Sequence, residues 1–448
     1  MNEALCPSVA SVSDDKGATS RWKPYPNYKD SGIEWLGEIP EHWDIYRLKY
    51  CVDLINEKVD GRESTLPYIG LEHIEPWTGK LVSVVGEIST DSQANHFKPG
   101  DVLFGKLRPY LAKVLCAKEE GICTGELLVL RPTRILQCYL FNYMLTREWI
   151  LIVDSSTYGA KMPRASWEFI GKLPVLVPPV EEQRAIAAFL DRETARIDAI
   201  IEKKQRQIEL LQEKRTALIS RAVTKGLNPD VKMKDSGIEW LGEVPDHWDV
   251  WKVTHGFQRL GSGTTPKSDN LNYYDGYIPW VTTSELRENV IEDTINKLTD
   301  DALRDYPALR LYPAGTLLFA MYGATIGRMG ILGISATVNQ ACAAFTEPIT
   351  LDPKFTYYWL LMRRPILIAL SAGGGQPNLS QEDLRQLRIP APPPDEQRAI
   401  AAFLDRETAR IDALTEKIRK SIDLLREYHT AVISAVVTGK IDVRKEVS

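Results

Sequence analysis

Glu182-Gln-Arg-Ala-Ile-Ala-Ala-Phe-Leu-Asp-Arg-Glu-Thr-Ala-Arg-Ile-Asp-Ala199 returns without a single change as Glu396 to Ala413. A repeat of that fidelity marks an internal duplication rather than coincidence. Working outward from it, Lys29-Asp-Ser-Gly-Ile-Glu-Trp-Leu-Gly-Glu-Ile-Pro-Glu-His-Trp-Asp44 returns as Lys234-Asp-Ser-Gly-Ile-Glu-Trp-Leu-Gly-Glu-Val-Pro-Asp-His-Trp-Asp249, changed only from Ile to Val and from Glu to Asp. The block at Glu182 recurs after about 214 residues and the block at Lys29 after about 205, periods far too long for a solenoid. The chain therefore reads as a duplicated half-molecule in which near-identical frames enclose interiors of different length and sequence.

The block at Glu182 has the pattern of a helix. Ile186, Leu190, Ile197, Ile200, Ile208, Leu211 and Leu218 fall at steps of about three and four with charged residues between them, and no Gly or Pro intervenes before Gly226. The second copy places Ile400, Leu404, Ile411, Leu414, Ile418, Ile422, Leu425 and Val432 in the same way. Each run follows a Pro-rich stop, Val177-Pro-Pro-Val180 or Ala391-Pro-Pro-Pro394, and opens with acids, as the helix dipole favours. About 40 residues at 1.5 Å each give rods of roughly 60 Å. A single apolar stripe on a rod that long needs a partner, and the other copy is the expected one, in place of each helix lying on its own globular domain.

The interiors read as mixed strand and helix. Gly100-Asp-Val-Leu-Phe-Gly105 and Gly315-Thr-Leu-Leu-Phe-Ala320 are matching short strands, followed by Lys106-Leu-Arg-Pro-Tyr110 in the first half and Met321-Tyr-Gly-Ala-Thr-Ile-Gly-Arg328 in the second. Farther along lie the loops Ser155-Ser-Thr-Tyr-Gly-Ala-Lys-Met-Pro-Arg164 and Ser371-Ala-Gly-Gly-Gly-Gln-Pro-Asn378. They combine Gly with basic, amide and aromatic side chains, the groups that hold phosphates or read base edges. The candidate DNA-binding residues are Lys106, Arg108, Tyr110, Tyr158, Lys161 and Arg164 in the first half, and Tyr322, Thr325, Arg328, Gln376 and Asn378 in the second. Trp43 and Trp248, near the end of the two copies of the Lys29 block, are expected to be core residues.

Composition sets bounds on function. With 448 residues, 44% hydrophobic and 26% charged, several packed domains are expected. No stretch approaches the roughly 20 consecutive apolar residues of a membrane span, and Met1 to Ser20 lacks a signal-peptide pattern, so a cytoplasmic location is expected. Cys6, Cys51, Cys116, Cys123, Cys138 and Cys342 form no C-x-x-C pair, and the six histidines have no metal-ligand spacing, so reduced thiols and no metal are expected. A net charge of -5 argues against non-specific coating of nucleic acid. A partner could supply part of the grip on phosphate.

Together, the Asp-Ser-Gly-Ile-Glu-Trp-Leu-Gly-Glu-Ile-Pro-Glu-His-Trp block and the Pro-Pro-x-x-Glu-Gln-Arg-Ala-Ile-Ala-Ala-Phe-Leu-Asp block resemble those of the specificity subunit of Type I restriction-modification systems, from about Trp22 to Val437. Gly159-Ala-Lys-Met-Pro-Arg164 is similar to a phrase of one type of recognition domain in that family. Tyr322-Gly-Ala-Thr-Ile-Gly327, Val338-Asn-Gln340 and Gly375-Gln-Pro-Asn-Leu379 are similar to phrases of another type.

The resemblance implies an α+β fold: two mixed α/β target recognition domains separated by two long antiparallel helices forming a coiled coil, with an internal pseudo-twofold repeat. On that reading residues 1–20 are a flexible tail, 21–180 the first recognition domain and 181–225 the first spacer helix. Residues 226–394 are the second recognition domain, 395–437 the second spacer helix and 438–448 the C-terminal tail. The implied function is recognition of a split asymmetric site in double-stranded DNA, with the helices setting the gap. The implied partners are two modification (methyltransferase) subunits and the restriction/translocase subunits. S-adenosylmethionine belongs to the modification subunits, ATP and Mg to the restriction subunits, and no cofactor to this chain.

Other chemistry finds little support in the residues. Methyltransferase activity, on the same family resemblance, calls for an Asn-Pro-Pro-Tyr type segment and a Gly-rich cofactor loop, and neither occurs. Gly261-Ser-Gly-Thr-Thr-Pro-Lys-Ser268 is superficially similar to a nucleotide P-loop, but Pro266 stands where the second Gly is required and has no amide hydrogen. The rival from another class is an assembly scaffold whose heads bind protein; it would show no DNA-sequence preference.

Overall fold

The computed structural model describes residues 22–82, 93–159, 161–371 and 378–444. The expected flexible tail at 1–20 and Cys6 lie outside the described residues. The chain divides into two units, one of Met1–Gln205 with Arg419–Ser448 and the other Arg206–Ile418.

In the first unit, the strands Val52–Ile55, Leu127–Pro132, Val102–Gly105 and Val114–Cys116 form an antiparallel sheet in that spatial order. Val102–Gly105 is buried along its whole length because it divides two cores. Val102 and Phe104 face one with Leu128 and Leu130, while Leu103 faces the other with Leu127 and Val129. A strand covered on both faces has no polar side, which is why its sequence is a continuous apolar run rather than an alternation. A second sheet orders Lys58–Val59, Ala94–Phe97, Gly121–Cys123 and Tyr68–Ile69, the last pair parallel. Asp44–Arg47 pairs with Pro174–Val177 and so brings the end of the Lys29 block to the start of the long helix.

The second unit repeats the plan with different strands. Phe257–Gly261, Cys342–Pro348, Leu317–Ala320, Met329–Leu332 and Asn289–Ile291 form a five-stranded sheet. Leu317 and Phe319 again face one core, Leu318 and Ala320 another. Asn296–Leu298, Tyr274–Val281 and Thr337–Val338 make a three-stranded sheet, and Asp249–Lys252 pairs with Arg388–Ala391.

The long helices are Val180–Lys225 and Pro394–Val437. In the first unit, Ile186, Phe189 and Leu190 near the start of one share a core with Val432, Ile433 and Val436 near the end of the other. In the second unit, Ile219 and Val223 share a core with Ile400 and Leu404, and Arg215 Nε lies 3.3 Å from Asp412 Oδ1. Early residues of one helix meet late residues of the other in both units, so the pairing is antiparallel. The fold class is α+β with repeated mixed heads, as expected. The apolar stripe differs at one point: Leu414 is exposed and Thr415 is buried. The buried positions Ile411, Thr415, Ile418 and Ile422 step by four, three and four, so helical phase selects the polar residue.

The two repeated blocks are the two halves of one joint. Buried Glu182 accepts hydrogen bonds from the Tyr25 hydroxyl, from His42 Nε2 at 2.8 Å and from the Trp43 indole at 3.0 Å. In the second unit, Glu396 takes His247 Nε2 at 2.8 Å and the Trp248 indole at 3.1 Å. The adjoining glutamines bind backbone on both sides. Gln183 accepts from Leu136 N and donates to Pro178 O; Gln397 accepts from Asp352 N and donates to Thr350 O and Pro392 O. In the Asp-Ser-Gly-Ile-Glu-Trp-Leu-Gly turn, both glycines have positive φ, +67° and +63° at Gly32 and Gly37, +69° and +65° at Gly237 and Gly242. A side chain there would be strained, which accounts for glycine at those four places. Ile441 and Val443, beyond the second helix, are buried in the core of the first unit.

His429 on the second helix faces Asp198 of the first helix and Lys80 of the head, themselves an ion pair at 2.6 Å. Burial, with Lys80, pushes its imidazole below the ordinary value of 6.5 despite Asp198. The unfolded chain therefore binds the proton more readily, and stability is full above about pH 6.5 and falls as pH drops through the window below it. We expect His429→Gln to flatten the fall in thermal stability between about pH 7.5 and 5.5; an unchanged slope would contradict this assignment.

Candidate nucleic-acid interface

In the first head the buried strand Val102–Gly105 delivers the chain to Lys106, whose backbone is held on both sides. Lys106 N donates to Glu126 O at 3.0 Å, and its carbonyl accepts from Ala165 N at 2.9 Å. Arg108 N donates to Pro163 O at 2.8 Å, and Tyr158 and Arg164 exchange backbone bonds of 3.1 Å. The two loops separated in sequence are thus zipped into one surface carrying Lys106, Arg108, Tyr110, Tyr158 and Arg164. Arg108, Tyr110, Tyr158 and Lys161 are exposed, and Lys106 is half-buried. Arg108 has φ +51°, a left-handed conformation that costs a non-glycine residue about 1–2 kcal/mol and clusters at functional positions.

Arg164 is not free. Glu126 takes its Nε and Nη2 at 2.9–3.2 Å and stabilises its charged form. The sequence reading missed Glu126, which lies 38 residues away in the chain.

In the second head Leu317–Ala320 delivers the chain to Met321. Met321 N donates to Ala341 O at 2.8 Å, and its carbonyl accepts from Leu379 N at 2.8 Å. Tyr322 bridges to Asn378 just as Leu107 bridges to Arg164. Position by position, Lys106 corresponds to Met321, Arg164 to Asn378 and Ala165 to Leu379. Ser166 and Ser380 then cap the short helices Trp167–Ile170 and Gln381–Gln386. Gly323 and Gly327 turn the loop at φ +79° and +78°, placing Arg328 in solvent and Thr325 and Tyr322 half-buried. Asn378 is exposed, whereas Gln376 lies outside the described residues.

Gln340, in the Val338-Asn-Gln340 phrase, is not among the candidate DNA-binding residues that the sequence indicates. Exposed Gln340 sits beside Ala341, where the Thr265 hydroxyl donates to its Oε1 at 2.6 Å. That bond orients an amide of the kind that pairs with adenine.

Cys51, Cys116, Cys123, Cys138 and Cys342 are unpaired, and burial pushes the thiols of Cys123 and Cys342 up to about 12, so both stay protonated. No group of His, Cys, Asp and Glu fit to hold a metal occurs among the described residues. None of the described helices is long and apolar enough to cross a membrane.

The duplicated backbone plan agrees with what comparison with known proteins finds. The Type I restriction modification DNA specificity domain matches residues 40–210 and again 245–424. The chain belongs to this family. It carries two specificity domains, and their matches cover most of both units, which does not favour the scaffold alternative. The putative type I restriction enzyme MjaX specificity subunit of Methanocaldococcus jannaschii is 25% identical over 441 residues, covering 93% of this chain and 97% of that one. The EcoDI specificity subunit of Escherichia coli is 25% identical over 221 residues, 47% of this chain and 46% of its own.

Among solved structures, one reported for complex assembly and conformational transition of the type I R-M system superposes with a TM-score of 0.72 at 19% identity, covering 89% of this chain and 98% of that one. The HsdS subunit of Thermoanaerobacter tengcongensis gives 0.55 at 19%, covering 90% and 98%. These structures share the fold of the specificity-domain chain.

Proposed function

We propose that this specificity-domain chain reads the two parts of a split asymmetric DNA site, one with each head, and performs no catalysis itself. The observation that carries this reading is the pair of zipped loops at the end of each central strand, alike in backbone and unlike in side chains. Lys106, Arg108 and Lys161 in the first head and Arg328 in the second meet phosphate and set register. Tyr322, Thr325, Gln376 and Asn378 offer base-edge or stacking contacts in the second head, as do Tyr110, Tyr158 and Arg164 in the first. The paired helices set the gap between the parts and dock two modification subunits, which bring S-adenosylmethionine. Restriction subunits using ATP and Mg complete the complex, in the cytoplasm. Residues 21–180 and 226–394 serve as the recognition domains, and 181–225 and 395–437 as spacers.

The test is charge-neutral replacement of Lys106, Arg108, Lys161 and Arg164 together in the complex assembled with its modification subunit. Removing one good bidentate pairing with a base costs about 1–3 kcal/mol, roughly 5- to 150-fold in discrimination. We expect the first part of the methylated motif to relax and the second to stay. Unchanged target choice and affinity would overturn the loop assignment.

A further inference from the structure

Pro266 disqualifies Gly261-Ser-Gly-Thr-Thr-Pro-Lys-Ser268 as a nucleotide loop, yet the second head holds this stretch firmly along its length. The Tyr312 hydroxyl donates to Ser262 O at 3.0 Å, and Gln381 Nε2 donates to Ser262 Oγ at 2.7 Å. The Tyr274 hydroxyl donates to Pro266 O at 2.7 Å, and Lys267 N donates to the Tyr306 hydroxyl at 3.1 Å. Gly263 N donates to Asn339 O, and a side chain at Gly263 would begin 1.7 Å from Val338 O, so only glycine permits this approach. An irregular stretch fastened at so many points presents its exposed residues, Thr265, Lys267 and Ser268, in a fixed arrangement, with little ordering left to be done on binding.

The stretch leans on both loops of the candidate interface. Val338-Asn-Gln340, against which Gly263 packs, runs directly into Ala341, whose carbonyl takes Met321 N. Gln381 lies three residues past Asn378. At the meeting point the Thr265 hydroxyl takes one lone pair of Gln340 Oε1, and among the described residues nothing bonds Gln340 Nε2. One acceptor site and one donor group therefore remain side by side on an exposed amide. That is the complement of the major-groove edge of adenine, a donor at N6 beside an acceptor at N7, and not of guanine, whose O6 and N7 both accept. The first head carries different chemistry in the matching place. Glu126 O takes Lys106 N as Ala341 O takes Met321 N, so Gly125 stands where Gln340 does. Ile55 pairs with Val129 as Gly261 pairs with Ala344. Lys58, three residues beyond Ile55, brings its Nζ to 4.0 Å from where a Gly125 side chain would begin. A group that only holds the fold together has no reason to change from an amide to a cation between the heads; a group that reads different bases does.

We propose that Gln340, set in orientation by Thr265, reads an A·T pair in the second part of the split site through the adenine edge, with the stretch 261–268 as a third recognition loop of the second head. This rests on the reading of the heads as DNA-recognition domains, and adds to it which base one side chain selects. Gln340 touches the base, whereas Thr265 acts through Gln340 and is a positioning residue.

The test is co-expression of the full chain with its genomically neighbouring methyltransferase subunit, with the methylated motif read by single-molecule sequencing. We expect Gln340→Ala to relax one A·T position of the second part, losing roughly 5- to 150-fold of discrimination there, while the first part stays. Gln340→Glu keeps the size and the Thr265 bond but can only accept, and is expected to turn that position toward cytosine, whose N4 donates. Thr265→Val removes the hydroxyl with little change of shape, and is expected to let the amide turn over and admit guanine at the same position. A side chain that merely supported the head would lower methylation of the whole motif and would not exchange one base for another. Variants with the wild-type motif, or with loss spread over the whole second part, would overturn the assignment of Gln340 while leaving the two-part reading intact. So would a relaxed position that is G·C in the wild-type motif. A wild-type chain that yields no motif in an active complex would overturn the reading and the assignment together.

Discussion

Glu182→Ala is expected to destabilise the first unit by roughly 3–5 kcal/mol, the range for removing one partner from a buried polar cluster. The matching change, Glu396→Ala, is expected to cost the second unit about 1–2 kcal/mol. The two glutamates occupy identical places in an unchanged repeat, so their sequence context predicts equal effects. The structure separates them. The Glu182 side chain is 4% exposed and that of Glu396 28%. Glu182 also serves the Tyr25 hydroxyl, which burial and the carboxylate itself keep protonated and donating. Alanine at 182 strands Tyr25 and the fully buried indole of Trp43 away from water, whereas water can replace Glu396. Hydrogen exchange followed separately in each unit reads the difference; equal losses, or a larger loss in the second unit, would show that the Glu182 cluster is not what holds the joint.

Four residues inserted into the first long helix between Gln205 and Arg215 are expected to lengthen the gap between the two parts of the DNA site. Four residues extend a helix by about 6 Å, close to two base pairs at 3.4 Å each. The effect on specificity is large because the old site, with its shorter gap, no longer aligns both heads at once, while the bases within each part stay the same. The boundary between the two units falls inside this helix, at Gln205 and Arg206, and the helix continues from Val180 to Lys225 without a break. An insertion mutant that methylates the original motif with its original gap would contradict the proposed ruler.

The repeats carried most of what the sequence could disclose. Both frames are joints in which key residues are held in place: Glu182 on His42 and Trp43, Gln183 on two backbone groups, Gly32 and Gly37 at positive φ. Such requirements leave little freedom to vary, and repetition made them visible. The strands Val102–Gly105 and Leu317–Ala320 were legible because burial on both faces demands an unbroken apolar run. Two-residue strands such as Lys58–Val59 and Tyr68–Ile69 are too short to carry a period, and their pairing depends on neighbours distant in the chain.

The same limit governs the interface. Loop composition pointed to Lys106–Tyr110 and Tyr158–Arg164, but only the fold shows that backbone bonds join them and that Glu126 holds Arg164. In the helices, the apolar alphabet chose Leu414, whereas helical phase buries Thr415; a polar residue in a stripe is invisible to a hydrophobicity pattern.

The most direct measurement is a map of methylated bases across a whole genome, by single-molecule sequencing, with the neighbouring methyltransferase subunit expressed with and without this chain. The account predicts a split, asymmetric motif that appears only when the chain is present and whose two parts change independently when either head is altered. A stable, active complex that leaves no sequence motif would contradict it.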